Sequence, residues 1–117
     1  MTKRDLLIET MKTTLEYTGY RIIGALTLND PQPPAIRGMK STHQPDIFFQ
    51  GTRPGVLAVV TAADLEDPKI SERLFLFSKF AEACGGDFFV SCFAAISEPL
   101  KKLCEARRIR YSKLFEV

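Results

Sequence analysis

The chain has no tryptophan, a single histidine, only three cysteines and no long apolar run. Each shortage removes a class of function. With His43 alone, zinc sites built on several histidines are excluded, and nothing near it in sequence supports a Ser-His-Asp or Cys-His nucleophile. Cys84, Cys92 and Cys104 are odd in number and lack metal-site spacing, so they read as buried thiols acting as small apolar side chains. No apolar stretch approaches the roughly 20 residues that span a bilayer. The opening MTKRDLLIETMK has charges on both sides of its apolar residues, unlike a signal peptide. A cytoplasmic protein without a membrane partner is expected. An excess of one charge is missing too. Sixteen Lys and Arg against fourteen Asp and Glu leave +2, which permits nucleic-acid contact without arguing for it. The phosphate-binding glycine motifs GxGxxG and GxxxxGK[ST] do not occur.

What is present suits one folded unit. The 117 residues fit a single domain, 1–117, large enough to bury a core without staples, and 45% hydrophobic with 26% charged is ordinary for a globular chain. Leu7, Ile8, Met11 and Leu15 recur at helical spacing over 3–18, with Thr2 as cap and Gly19 as terminator. YRIIGALTL, 20–28, reads as a strand. The four-proline stretch NDPQPPAIRGMKSTHQP reads as a long loop or an irregular edge strand.

DIFFQG and GVLAVVTA then form a β-hairpin, and VLAVV, without polar alternation, should be a central strand. Asp67-Pro68 is expected to open a helix carrying Ile70, Leu74, Phe77, Ala81 and Cys84 on one face and ending at Gly85-Gly86. DFFVSCFA, 87–94, is another strand. A helix from Ser97 or Glu98 follows, with Arg107 and Arg108 expected in its last turn. A last strand is expected within 109–117. The order α-β-β-β-α-β-α-β describes an α/β domain with a mixed central sheet and flanking helices.

That order, with Pro45-Asp46-Ile47 opening the middle strand and GVLAVVTAADL following, resembles the PD-(D/E)XK nuclease superfamily, the restriction-endonuclease-like fold that includes Holliday junction resolvases. The resemblance spans roughly Lys3 to Cys92. It includes a helix bearing Glu9 or Glu16 before Gly19-Tyr20. It implies Asp46 as a ligand for magnesium or manganese, a second acid on the next strand and a lysine two residues on. The cation would polarise the phosphate and lower the pKa of the attacking water.

The sequence departs from that pattern where the chemistry needs it most. Val59 stands where the acid is wanted and Thr61 where the lysine is wanted. Valine offers a cation nothing and threonine is no cationic amine, so Asp46 and Thr61 read as remnant positions and no cofactor is expected. A migrated site would take its oxygen from Asp64, Glu66 or Glu72, its amine from Lys69, and further support from Glu9. The bland alternatives are a turn closed by Asp46, a helix start favoured by Asp64, Glu66 and Asp67, and solvated helix faces for Glu9 and Glu16.

Nine phenylalanines suggest core aromatics rather than a base-stacking platform. Lys101, Lys102, Arg107, Arg108, Arg110 and Lys113 form the densest basic segment, a phosphate-contacting candidate interspersed with glutamates that also suit a solvated face. Lys3, Arg4, Arg37 and Lys40 can extend a basic surface. Three functions follow. The first is a nuclease-like module without catalysis that binds nucleic acid or protein. The second is a metal-dependent nuclease with a migrated acid. The third is a structural protein that pairs through an open sheet edge as a homodimer.

Overall fold

The computed structural model describes residues 1–117. Its elements are α1 (Lys3–Tyr17), β1 (Arg21–Ala25), β2 (Ile36–Arg37), β3 (Thr42–His43), β4 (Ile47–Gln50), β5 (Pro54–Val60), α2 (Ala62–Glu66), α3 (Ile70–Cys84), β6 (Asp87–Cys92), α4 (Ser97–Ala106) and β7 (Lys113–Glu116). One strand sets the layers. Every residue of β5 from Gly55 to Val60 is buried. Val56, Ala58 and Val60 face one side and Leu57 and Val59 the other. A strand with no polar face must be covered twice. Leu7, Ile8, Met11 and Leu15 of α1 cover the second side, while Leu74 and Phe77 of α3 and Leu100 of α4 cover the first.

The sheet runs β1-β4-β5-β6-β7. β1, β4 and β5 are antiparallel neighbours, and β5, β6 and β7 are parallel. The mixed α/β class expected from the sequence is what the chain adopts. The hairpin β4–β5 supplies the antiparallel part, and the connections through α3 and α4 supply the parallel part.

Glycine at 55 shapes the α1-side core. A Cβ there would sit 2.2 Å from the Phe49 ring, so the ring can lie across β5. It stacks on Phe89 of β6 with centroids 4.9 Å apart, and Tyr20 meets both rings edge-on. Such pairs add about 0.5–1.5 kcal/mol beyond their buried area. The phenylalanines in strands are core residues, as the pattern indicated.

Several local expectations are corrected. The strand expected over 20–28 stops at Ala25, where the chain turns back: Ala25 N–H donates to the Pro31 carbonyl and Thr27 N–H to the Ala25 carbonyl. The four-proline stretch is not an open edge. Its Pro33 backbone lies against Gly24 of β1, where a Cβ would come within 2.8 Å, and its remainder folds into the ribbon β2–β3. Asp67-Pro68 does not open α3. Thr61 opens the short α2 in a reciprocal capping box with Asp64, Asp67 closes it, and Asp67 Oδ1 accepts the Lys69 N–H at 2.9 Å before α3 begins at Ile70.

Cys84 is exposed, one turn past the last buried residue of α3, while Cys92 and Cys104 are buried. Arg107 and Arg108 lie beyond the last turn of α4. Arg107 is its C-cap and Arg108 adopts a left-handed φ of 56°. There Arg108 N–H donates to Glu105 and the N–H of buried Ile109 to Cys104, the paired bonds of a Schellman terminus.

Candidate functional site

Asp46 enters β4 fully buried, and both carboxylate oxygens are engaged. Oδ1 accepts from Arg4 Nη1 at 2.6 Å. Oδ2 accepts from Arg73 Nη2 at 2.9 Å and from the Val59 backbone N–H at 2.8 Å. Arg4 comes from α1 and Arg73 from α3, the helices on opposite faces of the sheet. The carboxylate therefore ties both layers together at the end of the sheet.

Arg4 also reaches Asp64. Its Nη2 lies 2.5 Å from Asp64 Oδ2, the oxygen that accepts the Thr61 N–H at 2.8 Å and the Thr61 hydroxyl at 2.9 Å. One guanidinium thus bridges two carboxylates, as the planar donor fork of arginine allows. Two arginines and two aspartates meet in this cluster. A cavity of about 380 Å³ adjoins them, bordered also by His43, Gln44 and Lys69. His43 Nε2 is buried there without a hydrogen-bond partner, and Gln44 Nε2 donates to the Pro33 carbonyl at 2.7 Å.

Strand alternation revises the expected geometry around Asp46. Ile47 pairs with Leu57, so the register sets Asp46 across from Ala58. Ile47 belongs to the α1-side core and Ala58 to the α3 side. The β5 side chains on the same side as Asp46 are therefore Ala58 and Val60, not Val59 and Thr61. Val59 meets Asp46 only through its backbone, and Thr61 serves as the cap of α2.

The other sequence candidates separate. Asp64 joins Asp46 through Arg4. Glu66 is exposed at the end of α2. Glu72 lines a different groove on α3, and Glu9 sits 3.7 Å from Lys12 on α1. Lys69 borders the Asp46 cavity. No group of three His, Cys, Asp or Glu side chains converges as a metal site. The donor set does not fit magnesium, whose octahedral oxygen shell would compete with two guanidinium groups for one carboxylate. Arg73 and the bridging role of Arg4 were missed from sequence. The only local signal was Thr61-x-x-Asp64, a capping pattern before a helix.

The basic segment is split by its partners. Lys101 lies 3.6 Å from Glu98 and 3.5 Å from Glu116. Both glutamates raise its pKa, Glu98 most. Glu116 is held below its ordinary pKa chiefly by the Ser97 hydroxyl, with Lys101 assisting. Lys102, Arg107, Arg108 and Arg110 are exposed, with no carboxylate within salt-bridge distance. Away from the site, burial pushes the Cys104 thiol up to about 11 and raises Cys92 as well.

Comparison with protein-family models, with curated proteins and with solved structures gives no match for the chain. No helix is long and apolar enough to cross a membrane.

Proposed function

We propose that the chain is a nuclease-like scaffold that binds rather than cleaves, with arginine standing where a catalytic cation would be needed. The bridge from Arg4 to both Asp46 and Asp64 carries this reading. A buried carboxylate already held by two arginines and a backbone N–H yields a ligand position only if a charge-assisted bond is broken. The likeness to restriction-endonuclease-like proteins rests on the Pro45-Asp46 strand entry and the order of elements around it. The exposed and unpaired Lys102, Arg107, Arg108 and Arg110 favour nucleic acid as a partner for this surface.

The same bridge favours one competing reading. Asp46 and Asp64 both lie within reach of a single guanidinium, so a divalent cation that displaced Arg4 would meet two carboxylates. An endonuclease assay separates the two. Magnesium or manganese is added with single-stranded, duplex and branched DNA and with RNA, beside an identically purified Asp64→Asn variant. The binding reading expects no cleavage above that of the variant, together with retention of labelled DNA that weakens steeply with salt. Cleavage lost in the variant overturns it in favour of the migrated site.

A further inference from the structure

A second concavity shares no lining residue with the Asp46 cavity. It has a volume of about 900 Å³ and runs between α3 and the turn that joins β2 to β3. Glu72, Phe75, Leu76, Lys79, Phe80 and Ala83 line its α3 wall, spaced i, i+3, i+4, i+7, i+8 and i+11. That is one helix face over three turns, roughly 16 Å at 1.5 Å per residue. Met39 stands fully exposed on the opposite wall, and Phe75 is 43% exposed. Large apolar side chains left in solvent along a groove mark interaction surfaces. Gly38 lets the turn lie close to α3, because a Cβ there would come within 2.8 Å of the Leu76 Cδ1.

The rim selects the occupant. Arg37, Lys40 and Lys79 border the groove against one acid, Glu72. Lys79 lies over the Phe75 ring at 5.3 Å and pairs loosely with exposed Glu82 at 3.3 Å. Two copies of the chain meeting by this face would set these cations against each other, which disfavours a symmetric dimer here. We infer that the groove docks an acidic amphipathic helix of a protein partner, with apolar anchors between Phe75, Phe80 and Met39 and carboxylates towards Arg37, Lys40 and Lys79. The Asp46 site takes no part, so this inference stands or falls apart from the binding reading above.

The test uses a fluorescein-labelled synthetic helix with leucines at i, i+3, i+4 and i+7 and glutamates elsewhere. A lysine-for-glutamate version and a shuffled version accompany it. Anisotropy should saturate with the glutamate helix alone and weaken with salt, and amide shifts should map to residues 37–41 and 72–83. Phe75→Ser, already partly exposed and checked for folding by circular dichroism, should lose affinity at least about tenfold, as should the double variant Lys40→Glu/Lys79→Glu. Failure to saturate, equal binding of the lysine or shuffled helix, or shifts elsewhere would overturn the inference. So would sedimentation showing that the free protein pairs through this face.

Discussion

Arg4 and Asp46, 42 residues apart in the chain, meet at 2.6 Å across the end of the sheet. Arg73 approaches the same carboxylate from the other layer at 2.9 Å. A buried acid held this way is weak proof of a stability gain over an apolar replacement of the whole cluster, but removing one partner leaves the rest stranded.

Asp46→Ala is therefore expected to destabilise the fold by about 3–5 kcal/mol, since two guanidinium groups and the Val59 N–H lose their acceptor. Arg4→Ala should cost less than Arg73→Ala, because the Arg4 side chain is 32% exposed and the Arg73 side chain 16%. Urea denaturation of the three variants checks both magnitude and order. A loss below about 1 kcal/mol for Asp46→Ala would mean that the cluster is not closed in solution.

The pairing of Lys12 with Asp30 makes a pH prediction. Lys12 and the Thr27 hydroxyl hold Asp30 below its ordinary value of 3.8, and Asp30 raises Lys12 above 10.5. A depressed carboxylate contributes stability that is full above its unfolded value and is lost as pH falls through its folded one. A raised lysine contributes below its unfolded value and loses the contribution as pH rises through the folded one. The melting temperature of Asp30→Asn should thus fall short of the native chain's by a constant amount between about pH 5 and 9. The gap should narrow below pH 3.8. A gap that widens in acid contradicts the assignment.

Arg108 occupies the left-handed position that closes α4, where glycine is the favoured residue. Arg108→Gly should raise stability by about 1 kcal/mol through relief of that conformation. If Arg108 also contacts phosphate, the variant should lower the dependence of DNA retention on salt by about one counterion. Thermal melts and salt titrations on the same protein report the two effects separately.

Thiol labelling with a disulfide reagent should find one fast cysteine in the native chain and three after denaturation. Cys84 is exposed, whereas burial both shields Cys92 and Cys104 and raises their pKa values. A Cys84→Ser chain should show no fast phase. A native chain that releases two or three equivalents at once would contradict the buried placement of the other thiols.

Much of the fold was legible because its signals are local. The stripe of α3, the unbroken apolar run of β5 and the glycines at 19 and 85 each follow from spacing or backbone freedom within one segment. The two-residue strands β2 and β3 carry no periodicity to read. The start of α3 was misplaced because Asp67-Pro68 and Thr61-x-x-Asp64 both look like helix openings, and the second won through a reciprocal pair of bonds. At the site, Asp46 stood out, but its partners did not. An arginine on a helix surface looks the same in sequence whether it faces water or a carboxylate 27 or 42 residues away in the chain. Which side of β5 faces Asp46 depends on the pairing register that sets Ala58 opposite it, and the β5 segment alone does not carry that register.

The arrangement around Asp46 also bears on how the chain is made. The hairpin β4–β5 closes locally and carries the carboxylate with it, while Arg73 lies 27 residues further on. A growing chain that has presented the hairpin but not yet α3 holds an acid with one arginine and one backbone donor beside an uncovered apolar sheet face. Sealing that end of the molecule must await the C-terminal half. The same lock then marks completion, since both oxygens of the Asp46 carboxylate have arginine partners only once α1 and α3 are in place.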